Sequence, residues 1–174
     1  HLIFYRKDLM FKNLIYCFSI EEDIKNFKED LIKECVNQRK EEEGGCNFKV
    51  QTKYIDTLYK IFIDCAKKIL KPFTIKNKNF TVWCYMTDNM YSETGWHNHK
   101  NSATINSVIY LKIKDKGISF KQNNKQMYLE PNNGDMLIFP ASLDHKPRPS
   151  TDDKRISLNL ELKCYEKENE VFNV

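Results

Sequence analysis

Nothing in this sequence approaches the roughly 18 consecutive apolar residues of a membrane span, because Lys, Asp or Glu interrupts every hydrophobic stretch. There is no block of like charge either. The 28 basic and 24 acidic residues are interspersed and leave a formal net charge of +4, so charge alone indicates no nucleic-acid partner. The six cysteines, Cys17, Cys35, Cys46, Cys65, Cys84 and Cys164, include no CxxC pair and no short regular spacing. That pattern suggests neither a zinc knuckle nor a disulfide framework, and the cysteines are expected to be reduced, mostly buried thiols. Internal repeats and low-complexity tracts are absent. The expectation is a soluble, cytoplasmic chain without a membrane partner. It starts at His1 without a methionine, which fits a trimmed or tagged chain, and any targeting segment upstream would lie outside it. The 174 residues fit one domain, 1–174, and a chain near this size buries roughly 70% of the surface it exposes unfolded.

The first third reads as helical. Ser19 and Glu22 form a capping-box pattern, Glu21, Glu22 and Asp23 sit in a first turn, and Ile20, Ile24, Phe27, Leu31 and Cys35 recur on one face. Gly44-Gly45 would end that helix. A second helix is expected from about Thr52 to Leu70, with Tyr54, Leu58, Ile61, Phe62, Cys65 and Ile69 on one side and Pro72 beyond its end. Two amphipathic helices thus lead, in a supporting region over 1–78.

From Asn79 the texture changes to short runs rich in β-branched and aromatic residues: Phe80 to Met86, Ala103 to Ile113, Gly117 to Lys121, Met127 to Glu130, Asp135 to Phe139 and Arg155 to Cys164. Turn-forming clusters such as Asp115-Lys116-Gly117 and Pro131-Asn132-Asn133-Gly134 separate them. The reading is α+β: an antiparallel β-sandwich or barrel over 79–166 with the helices laid on one outer sheet face.

Histidine is scarce as well. There are four, one of them the first residue, and the internal three fall at His97, His99 and His145 in the β-rich part. On an extended strand an H-x-H pair points both imidazoles to one face, and a third histidine from a later strand can complete a facial set of metal ligands. Alternatively His97 and His99 are surface loop histidines and His145 a separate turn residue. The context favours the metal set, because Arg155 follows ten residues after His145 at the start of the next strand and can clamp a carboxylate bidentately. Asp144 could be offered as a carboxylate ligand, but neighbouring strand residues face opposite ways, which favours His99. Asn101 reads equally as a residue supporting a ligand or as part of a loop.

With Trp83-Cys84-Tyr85, Trp96-His97-Asn98-His99, Val108-Ile109-Tyr110-Leu111, Pro131 through Gly134-Asp135-Met136-Leu137-Ile138-Phe139-Pro140, His145 and Arg155-x-Ser157 in this order, residues 82–162 resemble the catalytic core of the Fe(II)/2-oxoglutarate-dependent oxygenases. The likeness is to the prolyl-hydroxylase-like branch and its phage and bacterial relatives, through the H-x-H-x-N of His97 to Asn101. It implies a double-stranded β-helix, a cupin-like jelly roll, with the N-terminal helices packed on the major sheet. It implies that His97 and His145 ligate Fe(II), that Arg155 and Ser157 bind the distal carboxylate of 2-oxoglutarate, and that Tyr110 and Tyr85 line the cosubstrate pocket. In one respect the sequence departs from the pattern: the usual second ligand is Asp or Glu, and His99 stands there, leaving the iron one unit more positive. Imidazole still suits iron(II). If His99 instead points away, two histidines remain, as in halogenating members; those have a small residue here, and histidine is not small.

The implied activity is a dioxygenase that consumes dioxygen and 2-oxoglutarate, releases succinate and CO2, and hydroxylates a small-molecule or peptide substrate, with a peptide or amino acid slightly favoured. Oligomeric state is not encoded in these motifs. The alternatives are a three-histidine cupin-type enzyme such as a thiol dioxygenase, which needs no carboxylate clamp, and a non-catalytic β-sandwich that binds metal or a protein. Front-half aromatics (Phe11, Tyr16, Phe18, Tyr54, Tyr59, Phe62) read as core rather than a substrate cage. Lys67, Lys68, Lys71, Lys76 and Lys78 read as a solvated helix end rather than an acidic-partner site. Glu41 to Gly45 reads as a mobile loop, and Thr87 to Thr94, ahead of the first ligand, is the stretch expected to touch substrate.

Overall fold

The front of the chain carries strands as well as helices. A computed structural model describes residues 2–3, 15–41, 46–77, 79–87, 95–114, 117–148 and 155–166; Phe11, Glu42 to Gly45, Lys78, residues 88–94 and Asp115-Lys116 lie outside the described residues. The elements run β1 (Leu2–Ile3), β2 (Tyr16–Ser19), α1 (Glu21–Ile24), α2 (Lys28–Glu41), β3 (Asn47–Val50), α3 (Ile55–Lys67), β4 (Phe73–Ile75), β5 (Val82–Met86), β6 (Ile105–Lys112), β7 (Ile118–Gln122), β8 (Lys125–Leu129), β9 (Asp135–Pro140), β10 (Asp144–Pro147), β11 (Ile156–Leu162) and β12 (Cys164–Glu166).

The expected first helix is corrected in two ways. Ser19 belongs to β2, opposite Asp135 of β9, so Ile20 takes the N-cap position and no side chain caps the helix. Two acids of that first turn pair elsewhere: Glu22, the capping-box candidate, with Lys25, and Glu21 with Lys28 at 2.7 Å. The helix is also broken at 25–27, where Phe27 stacks on Tyr54 with ring centroids 4.6 Å apart. The second helix is present but shorter than expected, Ile55–Lys67, and it buries Leu58, Phe62 and Cys65 of the expected face together with Tyr59 and Ala66.

Seven strands form an antiparallel sheet in the order β1-β2-β9-β6-β11-β5-β3; β10-β7-β8 form a second and β12-β4 a small third. The alternation of side chains along each strand divides the molecule into two cores. On one face of the large sheet Ile156, Leu158, Leu160 and Leu162 of β11, with Cys84 and Ile109, meet Ile24, Leu31, Leu58 and Phe62 of the helices. On the other face Val108, Tyr110 and Phe139 meet Ile118, Phe120 and Leu129 of the second sheet. Each such fully buried side chain contributes about 1.5–3 kcal/mol. The result is a jelly-roll-like sandwich with helices on its outer face. Phe18, Tyr59 and Phe62 lie in the helix-side core, and Tyr16 and Tyr54 pack against it. None of the six cysteines is in a disulfide, and five of them are buried. Among the described residues, no helix is long and apolar enough to cross a membrane.

One turn is set by glycine. Gly134 has φ +82°, and a Cβ there would lie 2.1 Å from a Glu21 carboxylate oxygen. Its amide bonds Tyr110 O and its carbonyl accepts from Ile20, tying the β8–β9 turn to the start of α1.

Candidate metal centre and anion pocket

The two sheets leave between them a cavity of about 440 Å³, lined in part by His97, His99, His145, Arg155 and Ser157. Strand alternation explains the polar lining: on β11 the leucines face the helices, and Ser157, Asn159 and Glu161 face the cavity.

Backbone bonds bring the histidines together. His97 forms an isolated antiparallel bridge with His145, through amide-to-carbonyl bonds of 3.1 and 2.9 Å. His145 sits on β10, which pairs with β7, and the His99 amide donates to Ala141 O at 2.7 Å. One ligand nitrogen from each ring lies within 4.8 Å of the others. Ring centroids are 4.4 Å apart for His97 and His145, 5.2 Å for His99 and His145, and 5.3 Å for His97 and His99.

Every Nδ1 in this cluster faces an oxygen acceptor. His97 Nδ1 is 2.9 Å from Gly95 O, His145 Nδ1 is 3.0 Å from Leu143 O, and His99 Nδ1 is 2.7 Å from a Glu161 carboxylate oxygen. Since the two carbonyls can only accept, those nitrogens must carry the proton, and the short contact to Glu161 fixes His99 the same way. In the neutral imidazole each Nε2 then keeps its lone pair. Burial pushes His145 down to about 3, so its imidazole is neutral near pH 7. A compact set of imidazole nitrogens with fixed tautomers suits a divalent first-row transition metal.

Arg155 lies deeper in the same cavity, 3% exposed. Its backbone is held by reciprocal bonds with Thr87. Its guanidinium donates to Gly117 O, lies 3.4 Å from Ser157 Oγ, and packs over the rings of Tyr85 and Tyr110 at 5.3 and 5.1 Å. Among the described residues no carboxylate pairs with it. Burial lowers its pKa from the ordinary value, yet guanidinium stays protonated. A buried cation without a counter-charge is costly on its own.

The other expected residues fall nearby. Tyr85 lines the cavity; Tyr110 is fully buried behind Arg155, outside the lining, with its phenol pushed by burial up to about 12. Asp144 is turned away from the cluster and accepts from Asn98 Nδ2 at 2.7 Å. Asn101 is exposed. Of Thr87 to Thr94 only Thr87 is described, so that stretch falls outside the described residues.

The sequence reading missed Glu161. Burial pushes its carboxyl up, but hydrogen bonds from His99, Ser102 and Asn159 outweigh this and hold it below the ordinary range. The signal was the alternation Ser157-Leu158-Asn159-Leu160-Glu161-Leu162, in which every second residue is polar on a central strand of the sheet.

No model of a protein family matches the sequence, and no curated protein does. Solved structures do match. A prolyl-4-hydroxylase from Pseudomonas putida aligns over 86% of this chain and 98% of its own, at 13% identity and TM-score 0.56. A prolyl hydroxylase from Trichoplax adhaerens, in complex with a hypoxia inducible factor oxygen degradation domain peptide, aligns over 87% and 84%, at 13% identity and TM-score 0.60. HygX from Streptomyces hygroscopicus, with nickel and 2-oxoglutarate bound, aligns over 91% and 86%, at 10% identity and TM-score 0.55. The chain has the fold of these prolyl hydroxylases and of HygX. At these identities the likeness speaks to architecture, and the site has to be judged by its own residues.

Proposed function

We propose that the chain is an Fe(II)- and 2-oxoglutarate-dependent dioxygenase. In this reading it is one oxygenase domain over 1–174, with a supporting region (1–78) and a double-stranded β-helix core (79–166). The observation that carries it is the pairing, in one cavity, of three clustered histidines whose Nδ1 atoms face oxygen acceptors and a buried guanidinium with no protein counter-charge among the described residues. A divalent metal held by the neutral imidazoles of His97, His99 and His145 would keep its positive charge, and Arg155 carries another; 2-oxoglutarate has a carboxylate for each.

The chain's own part is positional. Arg155 and Ser157 would hold the distal carboxylate, with Tyr85 walling that end of the cavity. Gly95 O, Leu143 O and Glu161 hold the imidazoles in the tautomer whose neutral form presents Nε2 to an entering metal. When bound, iron and 2-oxoglutarate supply the oxidising chemistry, by which dioxygen converts a substrate C–H to C–OH with release of succinate and CO2. The substrate class slightly favoured is a peptide or amino acid, by likeness of fold to the prolyl hydroxylases. A thiol dioxygenase would leave Arg155 without a role.

The test is anaerobic titration of Fe(II) and 2-oxoglutarate into the metal-free protein. A visible metal-to-ligand charge-transfer band requiring both is expected, followed by succinate formation in air with a turnover screen. Absence of the band would overturn the proposal.

A further inference from the structure

We infer that Glu161 takes the place of the missing acidic ligand: through the His99 imidazole it supplies the negative charge that a carboxylate would place directly on the metal. This rests on the reading of His97, His99 and His145 as the metal-holding set.

The three histidines are not equivalent. His97 and His145 lean on backbone carbonyls, which are neutral. His99 alone leans on a charged group, with Nδ1 2.7 Å from Glu161 and both side chains about four-fifths buried. Glu161 is the one carboxylate among the described residues lining the cavity. It is pinned further by Asn159 Nδ2, 3.4 Å away.

The charge count gives the pairing its meaning. Three neutral imidazoles around a divalent ion leave two positive charges in a half-buried site, where charge is poorly screened. Glu161 reduces this to one, the net charge that two imidazoles and a direct carboxylate would leave. A carboxylate accepting from Nδ1–H also makes Nε2 a stronger donor, and such partners typically govern about 10–100-fold of metal affinity. Glu161 is therefore a positioning residue, acting through His99 with no contact to the metal.

The experiment titrates cobalt(II) alone into the full chain, followed by its visible ligand-field absorption, in wild type, E161Q, H99D and the H99D/E161Q double variant. Gln keeps an oxygen that can accept from Nδ1–H and removes only the charge. E161Q should weaken cobalt binding about tenfold or more, and it should raise the iron(III)/iron(II) potential, since loss of negative charge favours the less charged ion. In H99D the charge sits on the ligand itself, so adding E161Q should cause no further loss. E161Q binding cobalt as tightly as wild type at an unchanged potential overturns the inference. So does an equal loss on adding E161Q in both backgrounds, which would mark a general structural effect. If wild type binds no cobalt, the metal-site reading fails, and this inference with it.

Discussion

Replacing Arg155 with Met removes a buried cation that has no carboxylate partner among the described residues, and it should separate binding from folding. Truncating one partner of a buried hydrogen-bonded charge pair costs about 2–5 kcal/mol of binding. Taking about 3 kcal/mol, the dissociation constant for 2-oxoglutarate rises about 150-fold. The free protein should not suffer comparably: Gly117 O keeps the amide of Arg148 at 2.9 Å when the guanidinium is gone, and Met fills much of the space while relieving an uncompensated buried cation. The assay is thermal denaturation with a redox-inert divalent metal present, with and without 2-oxoglutarate. At a concentration about 100 times the wild-type dissociation constant, the ligand adds about 2.7 kcal/mol to wild type and about 0.3 kcal/mol to the variant. For a chain of this size these amount to shifts in Tm of about 5–10 °C and about 1 °C. An undiminished shift in Arg155→Met would refute the clamp, and a collapse of the ligand-free Tm would show that the arginine is structural.

His97→Ala should abolish or weaken divalent-metal binding by orders of magnitude while changing stability by under about 1 kcal/mol, because the ring is partly exposed; isothermal titration with cobalt(II) beside a melting curve checks both. His145 has a folded-state pKa of about 3 against an ordinary 6.5, so the unfolded chain takes up the proton first as pH falls. Its contribution is complete above about pH 7.5 and declines from 6.5 towards 3, with a loss of at most about 2 kcal/mol by pH 5; urea denaturation of wild type and His145→Gln at pH 7.5 and 5 should show a steeper decline in wild type. Gly134→Ala combines a positive φ with a clash against Glu21, which is paired to Lys28. It should cost about 2–3 kcal/mol, or about 4–12 °C in Tm, with metal binding retained at lower temperature.

The strands with a long alternating or continuous apolar pattern were legible to within two or three residues, as was α3, whose face repeats at helical spacing. The short ones were not. β3 alternates exposed Asn47 and Lys49 with buried Phe48 and Val50, a true strand pattern that four residues cannot distinguish from chance. β2 has Ser19 at its end, the residue type that caps helices, and only its pairing with β9 decides against the cap. β10 is Asp-His-Lys-Pro and has no strand signature at all. It is a strand because its backbone pairs with β7 at the edge of the small sheet, a place where proline is tolerated.

The same division runs through the site. His97, His99, His145 and Arg155-x-Ser157 were legible because their rarity and order carry the information. The partner of His99 was not, since Glu161 lies 62 residues away along the chain and reaches the imidazole through two independent registers. One sets Glu161 opposite Asn106, on β6 beside β11; the other hangs the His99 amide on Ala141 at the end of β9. A slip of one residue in β11 would turn Glu161 into the leucine core and a leucine into the cavity. The leucines that alternate with Ser157, Asn159 and Glu161 are therefore what hold the charge beside His99. The burial that stabilises the sheet and the electrostatics of the proposed metal centre are set by one and the same alternation.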